Sequence, residues 1–77
     1  MKDDEFDIDI NGFLLNVKRH DIGKQYVYRI SFSDKRPPLV VHEALDARSM
    51  PFWTSIPQGR QLEAEFFGKK IEEQLNS

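Results

Sequence analysis

The stretch DIDINGFLLNV, residues 7–17, decides the fold. Asn11-Gly12 is the preferred pair for a two-residue type I′ hairpin, because both central residues need positive φ and these two tolerate it best. A two-residue loop fixes the register. Ile10 then faces Phe13, Ile8 faces Leu15 and Phe6 faces Val17, so six apolar side chains share one side of the ribbon. A slip of one residue would scatter them.

Carried outward, the same register sets Glu5 opposite Lys18, Asp4 opposite Arg19 and Asp3 opposite His20. Lys18-Arg19-His20 taken alone has the make-up of a phosphate-binding cluster. The chain supplies its own carboxylates across the ribbon, however, each exposed pair contributing ~0.2–1 kcal/mol. The cluster is therefore expected to be neutralised from within.

His20 to Lys24 reads as the connection to a third strand, Gln25 to Ser33. In it Tyr26, Tyr28, Ile30 and Phe32 alternate with Val27, Arg29, Ser31 and Ser33, giving an aromatic core face and a mostly polar one. Asp34-Lys35-Arg36-Pro37-Pro38 breaks the pattern, since proline cannot donate to a ladder. Leu39 to Ala44 is β-branched enough for a fourth strand, although a helix starting near Val41 and including Leu45 fits the same residues. Asp46 to Pro51 forms a loop, and Phe52 to Ile56 a short fifth strand ending at Pro57.

From Arg60 to Leu75 the chain is rich in Glu, Gln, Lys and Leu, which predicts a helix, with Pro57 and Gly59 as starting punctuation. At about 100° per residue, Ala64, Phe67, Gly68, Ile71 and Leu75 form the stripe that lies on the sheet. Gly68 costs up to about 1 kcal/mol relative to Ala in a helix interior, so a close approach to a bulky sheet residue such as Trp53 is expected there. Leu62 and Phe66 lie nearly opposite the stripe. They either face solvent or a partner, or pack under the loop carrying Met50, Pro51 and Phe52. Glu65 and Lys69 have the spacing of an ordinary solvated pair.

The 77 residues make one domain, 1–77, with 39% hydrophobic and 31% charged residues and six Phe, two Tyr and one Trp. That is enough apolar material for a small core. With no cysteine, disulfides and thiolate metal sites are excluded. No window approaches the roughly 18 apolar residues of a membrane span, and Lys-Asp-Asp-Glu after Met1 is no export signal, so no membrane association and a cytoplasmic address are expected. The net charge of −2 gives no global attraction to nucleic acid.

Chemical signals are weak. His20-Asp21 and His42-Glu43 pair an imidazole with a carboxylate, but neighbours in a strand point to opposite faces and make poor proton relays. Nucleophile elbows, phosphate-binding Gly loops and HExxH are missing, and no residues have metal-ligand spacing. No catalytic residue, metal or cofactor is expected.

Phe52-Trp53-Thr54-Ser55-Ile56-Pro57-Gln58-Gly59-Arg60-Gln61, followed by Gly68-Lys69-Lys70-Ile71-Glu72-Glu73, resembles a group of short bacterial proteins, mainly of the Bacteroidetes. These open with an Ile-Asn-Gly hairpin and end in a motif close to Trp-Thr-Ser-Ile-Pro-(Glu/Gln)-Gly-Arg-Gln before a helix. The resemblance implies a meander sheet with a C-terminal helix. It brings no catalytic residue to transfer and points away from an enzyme.

The expected fold is α+β, a four- to five-stranded antiparallel β-meander packed on one face by a single C-terminal α-helix. The leading functional expectation is a non-enzymatic protein-interaction module. Leu62, Phe66 and Trp53 are its contact residues, and the partner is a second copy in a homodimer or another protein. Single-stranded nucleic acid ranks second, bound by Lys18, Arg19, Lys24, Arg29, Lys35 and Arg36 if these converge at one sheet end.

Overall fold

The computed structural model describes residues 5–23 and 25–76. Strands β1 (Glu5–Ile10) and β2 (Phe13–Ile22) pair in the register set by the turn, Ile10 with Phe13, Ile8 with Leu15 and Phe6 with Val17. Asn11 and Gly12 take φ values of 53° and 89°. The Gly12 N–H donates to Asp9 Oδ1 at 2.7 Å, so the turn is closed by its own strand. The expected pairings of Asp3 and Asp4 lie outside the described residues.

β2 runs on to Ile22, which pairs with Gln25 at the start of β3 (Gln25–Phe32). The expected five-residue connection is thus mostly strand. A second tight reversal passes through Gly23, whose φ of 64° suits a residue without Cβ. β4 (Leu39–Leu45) and β5 (Pro51–Ser55) complete an antiparallel sheet in the order β1-β2-β3-β4-β5. Leu39–Leu45 is strand, not helix: Leu39 and Val41 pair with Ile30 and Tyr28 and are fully buried. In the β4–β5 turn, Asp46 Oδ1 accepts from the N–H groups of Arg48 and Met50 at 2.8 and 2.9 Å.

Helix α1 (Gln61–Leu75) covers one face of the sheet. Ala64, Phe67, Gly68 and Ile71 point down onto Leu15, Val17, Ile30, Leu39, Val41 and Trp53, and together these form the core. Leu75, expected on the same stripe, is about half exposed, so the covering ends one turn earlier, at Ile71. Alternation also needs adjusting in β3. Tyr26 lies beyond the helix and is half exposed, whereas Val27, on the face away from the helix, is buried.

Aromatic rings extend the core toward the sheet end where β3 finishes. Phe32 meets Phe67 edge-on at 5.1 Å and stacks with Phe13 at 6.3 Å. The Arg36 guanidinium lies over the Phe32 ring at 4.8 Å, with Phe13 and Phe67 at 5.5 and 5.9 Å. Contacts of this kind contribute about 0.5–1 kcal/mol at exposed sites. They fasten the proline loop between β3 and β4 to the core.

Candidate functional site

Trp53 to Gln61 folds into a strand-to-helix joint. The first residue ahead of the helix is Arg60, whose side chain does not cap it. That duty falls to the buried Ser55 at the end of β5. Its hydroxyl accepts from Arg60 N–H at 3.2 Å and donates to the Pro57 carbonyl at 2.9 Å. Gln61 locks the other side. Its amide donates to the Trp53 carbonyl at 2.8 Å and to Glu65 at 2.9 Å, and its oxygen accepts from Thr54 Oγ1 at 2.8 Å. An outward carbonyl of an edge strand is satisfied in this way, which blunts the edge against pairing with another chain. Thr54, Ser55 and Gln61 are thus occupied in holding strand to helix, so this part of the motif explains architecture.

Trp53 is 8% exposed, with its ring beneath Gly68 and edge-on to Tyr28 at 5.6 Å. Its Nε1 donates to Glu72 at 3.2 Å. The residue expected as part of a contact surface therefore belongs to the core. Only its margin reaches a groove of about 440 Å³ that it lines with Phe52, Glu65, Lys69 and Glu72.

Leu62 and Phe66 have a different setting. Leu62 is 82% exposed, as the open reading has it. Phe66 is half exposed, its ring held edge-on to Phe67 at 4.9 Å and topped by Lys70 Nζ at 5.6 Å. One side of the ring is anchored to the core while the other is presented outward. Ile22, Leu45 and Met50 are also exposed, at the sheet end formed by the β2–β3 and β4–β5 reversals, with Ile22 on the face away from α1 and Leu45 on the helix side.

The basic residues do not converge at one sheet end. Lys18 and Arg29 are cross-strand partners in the middle of the face away from the helix. Arg19 lies on the helix side, its guanidinium 4.6 Å from the Tyr26 ring. Burial raises the Tyr28 phenol above the usual tyrosine range, while the charge and hydrogen bonding of Arg19 oppose the rise. Arg36 sits on the aromatic cluster and Lys35 is exposed in the proline loop, while Lys24 lies outside the described residues. Neutralisation from within also fails at Lys18. Glu5 stands opposite it as expected, but the Glu5 carboxylate accepts from Asn16 Nδ2 at 2.9 Å, and Lys18 forms no ion pair among the described residues.

At the helix start, Arg60 and Glu63 form a two-pronged pair, with Arg60 Nε and Nη2 donating to the two Glu63 oxygens at 2.7 and 3.1 Å. The hydrogen bonds from Arg60 hold the Glu63 carboxyl below the usual carboxylate range, and the charge of Arg36 helps. Arg60 Nη1 reaches on to the carbonyls of Pro37 and Pro38 at 3.2 and 2.8 Å, tying the proline loop to the helix. Both imidazoles face away from the adjacent carboxylates, since His20 and His42 lie on the open face and Asp21 and Glu43 on the helix side. No described helix is long and apolar enough to cross a membrane. Neither a family model, nor a curated protein, nor a solved structure matches this chain.

Proposed function

We propose that the chain is a non-enzymatic protein-interaction module whose contact surface is the outer face of α1, centred on Leu62 and Phe66. One observation carries this reading. The core is already complete from Ala64, Phe67, Gly68 and Ile71, yet two large apolar side chains stand one turn apart on the opposite side of the same helix. They add little to folding and leave apolar surface in water, a cost offset when a partner covers them.

The surface suits an apolar groove or helix face on the partner. Phe66 is braced by Phe67, so little rotamer freedom is lost on binding. Glu65, Lys69 and Glu73 around it supply a charged rim of both signs. A second copy of the chain is the first partner to test.

Sedimentation velocity over a concentration series decides the matter, with the wild type compared with a Leu62→Ser/Phe66→Ser variant checked for its fold by circular dichroism. The expected result is concentration-dependent association of the wild type that the variant loses, or, for a different protein partner, cross-linking through a photoreactive residue at position 69 that the variant abolishes. Identical behaviour of the two proteins in both assays overturns the assignment.

A further inference from the structure

On the sheet face turned away from α1, Lys18 and Arg29 are direct cross-strand partners. Their Cβ atoms stand about 5 Å apart, and like charges so placed are destabilising. Relief is within reach and is not taken. Glu5 stands beside Lys18 on β1, but its carboxylate and that of Asp7 both accept from the Asn16 amide at 2.9 Å. Among the described residues neither Lys18 nor Arg29 has an ion-pair partner.

Apolar and planar groups flank this pair. On one side a groove of about 570 Å³ is lined by Arg29, Pro38, Val40, Ile56 and Pro57. On the other, His20 pairs with Val27, and His42 lies on the same face, with Nδ1 hydrogen-bonded to Gln25 Nε2. Cations able to hold a phosphate are thus set among imidazole, guanidinium and proline surfaces on which a base can stack.

We propose that this open face binds single-stranded nucleic acid, with a phosphodiester between Lys18 and Arg29 and the neighbouring bases lying in the groove and against the histidines. The occupant follows from the face itself. An extended peptide docks by adding its main chain to a sheet edge, and here the backbone groups of β2 and β3 are already committed to their ladders. A duplex keeps its base faces stacked inside and can use only the charges. A single strand uses both the charges and the flat surfaces. Because the chain as a whole carries −2, attraction is confined to the cation pair, and about two phosphate contacts set the salt dependence.

The test is fluorescence anisotropy of the full chain with labelled oligo(dT) and oligo(U) of about 12 nucleotides. Binding at about 20 mM salt is expected, weakening with a log–log slope near −1.4 as salt rises. Lys18→Gln/Arg29→Gln is expected to weaken binding about tenfold or more, while Leu62→Ser/Phe66→Ser leaves it unchanged, which separates this site from the helix surface. Folding of the variant is checked by melting: relieving the like-charge contact raises or preserves the wild-type Tm at low salt, and the difference closes as salt increases. Three results overturn the proposal: no anisotropy change up to about 100 μM protein, equal binding by the double variant, or equal competition by a duplex of the same length.

Discussion

Gly68 rests directly on the Trp53 indole, so that a Cβ added there would come within 2.2 Å of Trp53 Cγ and 2.3 Å of Cδ2. Helix propensity alone favours Ala at this position by about 1 kcal/mol. The ring has little room to yield, since Tyr28 lies against it and its Nε1 is tied to Glu72. Gly68→Ala is therefore expected to lower stability by a net ~1–3 kcal/mol, read as a lower urea midpoint with unchanged slope. A stabilised variant would show that the helix can lift off the sheet without loss.

The first turn makes the opposite demand on side chains, because open space surrounds Gly12 and backbone conformation alone restricts it. Its φ is 89° and nothing lies within 4 Å of an added Cβ. Gly12→Ala should cost about 1 kcal/mol through strain alone, and Asn11→Gly, at φ 53°, should change the melting temperature little. Asn11→Val, β-branched at positive φ, should be the worst of the three. If thermal melts rank them otherwise, the turn does not set the register.

The first hairpin was legible because two independent signals agree: Asn11-Gly12 dictates a two-residue loop, and that loop puts all six apolar residues on one side. Gly68 against Trp53 was legible for a similar reason, since a glycine in a helix interior needs a compensating contact. The rest depends on contacts made across the chain. Ser55 acts as a helix cap from outside the helix, and a search for a capping side chain at Arg60 or its neighbours does not reach it. Arg36 has the sequence setting of a solvated loop charge, and its three ring partners come from β2, β3 and α1. Leu62 and Phe66 were legible as misfits to the helical stripe, while the bare Lys18–Arg29 pair was hidden by a carboxylate that stands at the right register position and bonds elsewhere.

Phe66 and Phe67 are adjacent in sequence and opposed in role. Phe67 is 5% exposed and joins Phe32 and Arg36, so Phe67→Ala is expected to cost about 3–5 kcal/mol and to unfold so small a domain in part. Phe66→Ala should cost under about 1 kcal/mol, because half of its ring is already in water. Equilibrium denaturation of the two single variants checks this directly. Similar losses would mean that Phe66 belongs to the core, and the contact surface on α1 would shrink to Leu62.

The Arg60–Glu63 pair makes stability depend on pH in a defined direction. Glu63 lies in the first turn of α1, where the helix dipole also favours a negative charge. Its carboxyl is held below its ordinary range chiefly by the hydrogen bonds from Arg60, so the unfolded chain takes up its proton at higher pH than the folded one. The contribution is fully present above the ordinary glutamate range, where the unfolded chain has already lost the proton, and is lost as the pH falls through the lower folded value. With both side chains partly exposed, at 27% and 36%, solvent screening keeps the gain below about 1 kcal/mol. Melting curves of the wild type and Glu63→Gln should therefore run a constant distance apart from about pH 5 to 8 and converge at more acid pH. Salt should narrow the gap at neutral pH, since the pair is within reach of screening ions. Parallel curves down to about pH 3 would mean that Arg60 is held by the Pro37 and Pro38 carbonyls alone and that Glu63 adds nothing to the joint.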